Sequence, residues 1–225
     1  YLEKPMVLSK KEADKLCEIV SKSDRKLVVA HYRRYLPMYI KVKEMLDADV
    51  IGKINYVDLK FLQPYNFNSK ATWRLEEAIS GGGYFHDIAP HQIDLMYHFF
   101  GDYASAKGIS INQSRINEVD DMVNGIISFK NTIQFRGIWS FAIPKYLEED
   151  NCTIYGENGT LSFSFYEEEL LLNTEKQNKV FKFKNPENMQ QPLIQQTVNY
   201  FLEKRSNPCP VEDSALVISI MEEFT

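Results

Sequence analysis

Asp87, His91 and Asp94 stand at i, i+4 and i+7, directly after the glycine run Gly81-Gly82-Gly83. On a helix turning about 100° per residue, the three fall within about 60° of one another. A carboxylate one turn from an imidazole can hold that ring in one tautomer and raise its basicity, which is equipment for general acid–base chemistry. Two other readings suit the same residues. A polar stripe is also what a solvated helix face looks like, with an early Asp acting as a cap. His86, Asp87, His91 and Asp94 could instead ligate zinc or manganese, since imidazole and carboxylate suit both ions. His86 points one residue step away from the Asp87–His91 direction, so no clean three-ligand set forms and no metal is expected.

The elements that must position this stripe follow from periodicity. Ser9-Lys10-Lys11-Glu12 is a capping box, and Ala13, Leu16, Cys17 and Val20 continue it as a helix to about Ser21. Lys26 to Ala30 is a short apolar run of strand type. Pro37 suits a first helical turn, and the pattern through Ile40, Val42 and Leu46 closes at Ile51-Gly52-Lys53. Lys53 to Gln63 is β-rich. The stripe-bearing helix spans Tyr84 to Phe100 and stops at Gly101. Strands are then expected at 104–112, 122–130, 132–142, 151–155, 160–165, 170–173 and 180–183. Phe135, Gly137, Trp139 and Phe141 share one parity, with Gln134, Arg136, Ile138 and Ser140 on the other, so one face of the sheet is better buried. Two helices, 192–204 and 213–224, end the chain. The fold class expected is α+β, with a short α/β entry. A large, predominantly antiparallel, open-faced sheet carries helices on one face. Self-pairing of the other face into a homodimer or homotetramer is expected.

Composition narrows the function classes. The 225 residues suffice for one large domain or two small ones. Net charge is −5 with a pI near 5.5 and no basic run stands out, which argues against nucleic acid as a partner. No apolar run approaches the roughly 18 residues of a membrane span, so no membrane partner is expected. The three cysteines are far apart, with no C-x-x-C, and no signal-peptide pattern is visible. Reduced thiols in a cytoplasmic setting are the expectation. The chain starts at Tyr1 and enters ordered-looking sequence at once, which reads as the back part of a longer protein.

Further motifs surround the stripe. Glu3-Lys4-Pro5 stands at the start, where the proline biases Lys4 toward extended geometry. Tyr32-Arg33-Arg34-Tyr35 follows the first strand candidate. Trp73-Arg74 precedes the glycine run by seven residues, and Gly156-Glu157-Asn158-Gly159-Thr160 bridges two strands. Each motif is weak alone. The ordered set resembles the glucose–fructose oxidoreductase / inositol dehydrogenase / rhizopine-catabolism (Gfo/Idh/MocA) family across essentially the whole chain.

That resemblance implies a two-domain NAD- or NADP-dependent oxidoreductase acting on a sugar or polyol. Residues 1–35 would be the remnant of the N-terminal Rossmann domain, and 36–225 the C-terminal substrate and oligomerisation domain. None of the ten glycines forms G-x-G-x-x-G, so most of the dinucleotide half is expected outside this chain and normal cofactor affinity is not expected of it. By resemblance, Lys4, Asp87 and His91 match the catalytic lysine, aspartate and histidine. His91 would be the acid/base, Lys4 would polarise the reacting oxygen, and Asp87 would orient substrate or imidazole. Glu3, Lys4, Trp73 and Arg74 match cofactor-reaching positions. Tyr32, where many members carry Asn, is a substrate-side candidate, and Asp94 is either structural or substrate-side. A non-catalytic oligomerisation or ligand-sensing domain of the same fold is the alternative, with a metal-dependent hydrolase behind it.

Overall fold

Alternation along Ile54–Pro64 (β1) builds the centre of the molecule. Val57, Leu59 and Phe61 are fully buried, while Tyr56, Asp58 and Lys60 lie on the other face. A computed structural model describes residues 1–65, 75–76 and 80–225. Trp73 and Arg74 fall outside the described residues. β2 (Tyr103–Ile111), β3 (Met122–Phe129), β4 (Gln134–Ile143), β5 (Glu149–Gly156), β6 (Gly159–Phe163), β7 (Glu169–Thr174) and β8 (Asn178–Lys182) complete a sheet in the order β2-β3-β4-β1-β5-β6-β7-β8. All neighbours are antiparallel except β1 and β4, which run parallel with Val57 beside Phe135 and Phe61 beside Trp139. The single parallel contact arises because the long excursion through the stripe-bearing helix separates β1 from its partner; a hairpin cannot join parallel strands.

Helices cover one face. α1 (Lys10–Ser21) starts at the expected box, with the Ser9 hydroxyl accepting from the Glu12 N–H and Glu12 reaching back to the Leu8 N–H. α2 (Pro37–Asp47) begins at its proline but ends short of the expected stop. Asp49 and Gly52, both at positive φ, make the turn instead. α3 (Gly83–Phe100) carries the Asp87–Asp94 stripe; α4 (Gln191–Phe201) and α5 (Val211–Glu222) follow the sheet. The strand expected at 26–30 is only a bridge: Leu2 pairs with Val29, donating to the Val28 carbonyl and accepting from Ala30 N–H. With no further described strand beside it, the apolar run is covered from the C-terminal side. Val28 packs with Leu193 and Cys209, and Val29 with Val211 and Ile218.

α3 is apolar nearly all round because it is sandwiched. Phe85 stands edge-on to Trp139, Tyr84 meets Phe141, and the Trp139 indole N–H donates to the Gln92 amide oxygen at 2.5 Å. Enclosing an indole of roughly 200 Å² is worth about 5 kcal/mol at about 25 cal/mol per Å², provided its N–H finds such a partner. Phe224, at the chain's end, lies on Gly125 so closely that a Cβ there would come within 2.2 Å of its ring. The opposite sheet face is open. It shows Tyr56 stacked on Tyr155, with Ile109, Ile111, Ile126, Leu171 and Val180 exposed. Among the described residues no helix is long and apolar enough to cross a membrane. The three cysteines are free, with Cys152 and Cys209 buried.

Candidate active site

The glycine run is required by the geometry that opens α3. Gly81, Gly82 and Gly83 all have positive φ, and at Gly82 (φ +143°) an added Cβ would lie 2.4 Å from the His86 ring. The Gly82 carbonyl lies 3.1 Å from His86 Nδ1, so the turn and this imidazole hold each other. The helix then presents Asp87, His91 and Asp94 along one side, as their spacing requires. Their partners differ.

Lys4 reaches Asp87 from the N-terminal segment, where the Lys4–Pro5 peptide is cis. Its Nζ donates to the Asp87 carbonyl oxygen at 2.5 Å and to Oδ1 at 3.1 Å. The expectation that Asp87 orients the imidazole is corrected in part: the carboxylate meets Lys4, and His91 has no hydrogen bond to it. His91 is buried, its Nδ1 has no hydrogen-bond partner among the described residues, and its ring stands edge-on to Tyr32 at 5.2 Å. Burial, and then the positive charges of Lys4 and Arg33, push its pKa well below the ordinary histidine value. His91 is therefore a neutral imidazole and a weaker base than an exposed histidine.

Asp94 belongs to a different cluster. The Arg34 guanidinium grips it as a fork, Nε to Oδ2 at 2.9 Å and Nη2 to Oδ1 at 2.5 Å. Arg34 also bonds Asp213 at 2.7 Å, and His31 Nδ1 lies 3.5 Å from Asp94 Oδ1. Burial alone would raise the Asp94 pKa, but Arg34 outweighs it and holds the carboxyl below its usual range. With both oxygens in this fork and the residue 1% exposed, the geometry suits the structural of the two roles expected of Asp94.

Glu3 is exposed and accepts from the Gln190 amide at 3.0 Å, beside the Lys4 position and outside the buried cluster. Trp73 and Arg74, the remaining cofactor-side candidates, lie outside the described residues. Among the described residues no group of three His, Cys, Asp or Glu side chains converges to hold a metal. Tyr32 is placed twice over: it touches His91 and lines a groove of about 760 Å³ with Arg33, Tyr166, Glu168, Asn185 and Met189. Arg33 lies against the Tyr32 and Tyr166 rings and donates to the Phe165 carbonyl at 2.5 Å. Sequence reasoning missed His31, Ser214 and the role of Arg34. The available signal was a histidine and two arginines directly after an apolar run.

The family model for the GFO/IDH/MocA C-terminal domain matches residues 39–162, over half the chain. This chain belongs to the Gfo/Idh/MocA family. The matched span runs from α2 into β6 and so contains α3 and the sheet's centre. Oxidoreductase P35 of Formosa agariphila is 46% identical over the whole chain, which spans 70% of that relative. The aldose-aldose oxidoreductase from Caulobacter crescentus, solved with glycerol, superposes with a TM-score of 0.83 at 16% identity, over 98% of this chain and 67% of that one. An oxidoreductase from Agrobacterium radiobacter, solved with NAD+, L-tartaric acid and magnesium, gives 0.82 at 17% identity over 98% and 68%. These two structural likenesses establish the shared Gfo/Idh/MocA fold. The mostly antiparallel open sheet expected from the alternation is that fold.

Proposed function

We propose that the full-length protein is an NAD- or NADP-dependent oxidoreductase that moves a hydride between the nicotinamide and a hydroxyl or carbonyl carbon of a sugar or polyol. The observation that carries this reading is the Lys4–Asp87 pair, one helical turn from the neutral, buried His91. The chemistry of these groups fits a nicotinamide site: a fixed cation to polarise the reacting oxygen and a base for its proton. A bound nicotinamide supplies the hydride-accepting chemistry. When a secondary alcohol is oxidised, its O–H proton passes to a ring nitrogen of His91 while Lys4 stabilises the charge growing on oxygen. Asp87 holds the Lys4 ammonium in place. In the reverse direction the imidazolium returns the proton.

Lys4 and Glu3 would reach the cofactor, joined by Trp73 and Arg74. Tyr32 would border the substrate, since it links the His91 ring to the groove. The names of the solved relatives support a polyhydroxylated substrate: one is an aldose-aldose oxidoreductase with glycerol, and another holds NAD+ with tartaric acid. The open sheet face would pair copies into a homodimer or homotetramer. The alternative is a non-catalytic oligomerisation or sensing domain, to which the same open face would be suited.

The test is nicotinamide absorbance with a panel of sugars and polyols, on the full-length protein. Turnover is expected, with His91→Ala lowering kcat about 10²–10⁴-fold and leaving dinucleotide binding intact. Unchanged turnover in that variant overturns the role of His91. Failure of the full-length protein to bind either dinucleotide favours the non-catalytic reading. A solution mass of two or four chains, reduced by Ile126→Lys, would support pairing through the sheet.

A further inference from the structure

His31, Ser214 and Asp94 lie in a line. The Ser214 hydroxyl is 2.7 Å from His31 Nε2, and His31 Nδ1 faces Asp94 Oδ1 at 3.5 Å, an electrostatic contact short of a hydrogen bond. The order is that of a nucleophile, base and acid, but all three residues are at most 2% exposed, so no substrate reaches the serine. The function must be sought elsewhere.

The tautomer follows from the neighbours. Asp94 is a carboxylate gripped by Arg34, so a lone pair on His31 Nδ1 would face negative charge, whereas an N–H there is attracted to it. His31 is then Nδ1–H, and Ser214 donates to Nε2. The charged groups acting on the ring are Asp94 from α3, Arg34 from the turn that follows, Lys4 from the N-terminal segment and Asp213 from α5. Burial outweighs the attraction of Asp94 and keeps the ring neutral.

The line sits directly beside the proposed proton carrier. The turn Tyr32–Tyr35 begins at the residue after His31. Tyr32 stands against His91, and Arg34 grips Asp94 one turn further along the same helix. Whatever fixes His31 therefore fixes the start of the turn that sets the plane of the His91 ring. Among the described residues, the Nδ1 of His91 has no hydrogen-bond partner to do so.

We propose that His31 is a positioning residue for His91: held as the Nδ1–H tautomer between Asp94 and Ser214, it fixes the turn through which Tyr32 orients the His91 ring. This rests on the reading of His91 as the proton carrier only for its catalytic consequence; the geometry is testable without turnover. α5, through Ser214, thereby becomes part of the active-site scaffold.

The experiment uses the full-length protein with labelled histidines, followed by long-range proton–nitrogen NMR from pH 5 to 8. In the wild type, His31 is expected as the Nδ1–H tautomer, and His91 as neutral with ring protons displaced by the Tyr32 ring current. In His31→Leu, the His91 signals should lose that displacement and its titration should move toward the ordinary range; His31→Gln, which can bond both neighbours, should restore them. Turnover should fall on the order of 10²-fold in His31→Leu, the cost of ångström-scale misplacement. If His31→Leu does not fold, Ser214→Ala carries the same readout. His91 signals and titration identical to the wild type in the folded variant overturn the proposal, as does an Nε2–H tautomer at His31. Loss of the displacement with unchanged turnover upholds the positioning but overturns the acid–base role of His91.

Discussion

Helix α3 carries two ion pairs on one side, seven residues apart, and they are built in opposite ways. Asp87 meets one ammonium, with side-chain exposure of 20% for the carboxylate and 11% for Lys4. Asp94 meets a guanidinium fork, with 1% and 5% exposed, and a second carboxylate and a histidine close the cluster. A compact ammonium on a flexible stem can exchange its partner for a substrate oxygen. A planar fork bonded at both oxygens cannot do so without leaving a charge stranded. Equal spacing on a helix thus hides unequal work: the Asp87 end is arranged to be approached, and the Asp94 end to hold α3, the Tyr32–Tyr35 turn and α5 together.

The largest effect is expected where the second pair is broken. Asp94→Leu leaves Arg34 buried with Asp213 as its one close counter-charge among the described residues, and should cost about 3–5 kcal/mol of unfolding free energy. Urea denaturation measures this. The double variant Asp94→Leu/Arg34→Leu should be less damaging than Asp94→Leu alone, because the charge it leaves behind is Asp213, 18% exposed, rather than the buried Arg34. If the double variant is as damaging as the sum of both single changes, the two residues do not act as a pair, and the contrast between the ends of α3 fails.

Much of this scaffold is legible in the chain. The Ser9–Glu12 box, the Phe135–Phe141 alternation and the Gly101 stop all act over a few residues, and local chemistry decides them. The parallel placement of β4 beside β1 is not local, since it depends on how the chain returns after α3. The same limit governs the site. A helical wheel shows that Asp87, His91 and Asp94 share a side, but not what arrives there. Lys4 comes from 83 residues before Asp87, Arg34 from 60 before Asp94, and Ser214 from 183 beyond His31. The intramolecular Asp87–His91 contact suggested by spacing was therefore outcompeted by a cation from elsewhere. The family resemblance could supply Lys4 because its motif was intact; it carried no comparable signal for His31 or Ser214.

A second, smaller effect separates the clusters by pH. Burial, then the nearby Arg34 charge, push His98 down to about 4, and burial also lowers His31 and His91. These rings are neutral in the fold, whereas the unfolded chain protonates them near 6.5. Their contribution is complete above that value and is lost as pH falls below it, for His98 by about 4. The depressed Asp94 carboxyl adds stability that is present above the ordinary carboxyl value and is lost only as pH falls below it. Melting temperature should therefore decline as pH falls from 6.5 through the histidines, and go on falling below the ordinary carboxyl value as Asp94 protonates. His98→Gln should flatten the upper decline. An unaltered slope in that variant would show that His98 titrates normally in the fold.

The smallest stability effect is expected at the other end of the helix. Asp87→Asn keeps an oxygen for Lys4 to donate to, and the Asp87 carbonyl still accepts from the same ammonium. The pair is mostly buried but the ammonium keeps oxygens to donate to, so losing the carboxylate charge should cost about 1–2 kcal/mol, less than stranding Arg34. Turnover should nevertheless fall, because the lysine is no longer held by an opposite charge while it polarises the reacting oxygen. A melting temperature only slightly below wild type, beside a clear loss of kcat, would place Asp87 on the chemical side of the contrast. A loss of stability as large as that of Asp94→Leu would erase the distinction and make both carboxylates structural anchors of α3.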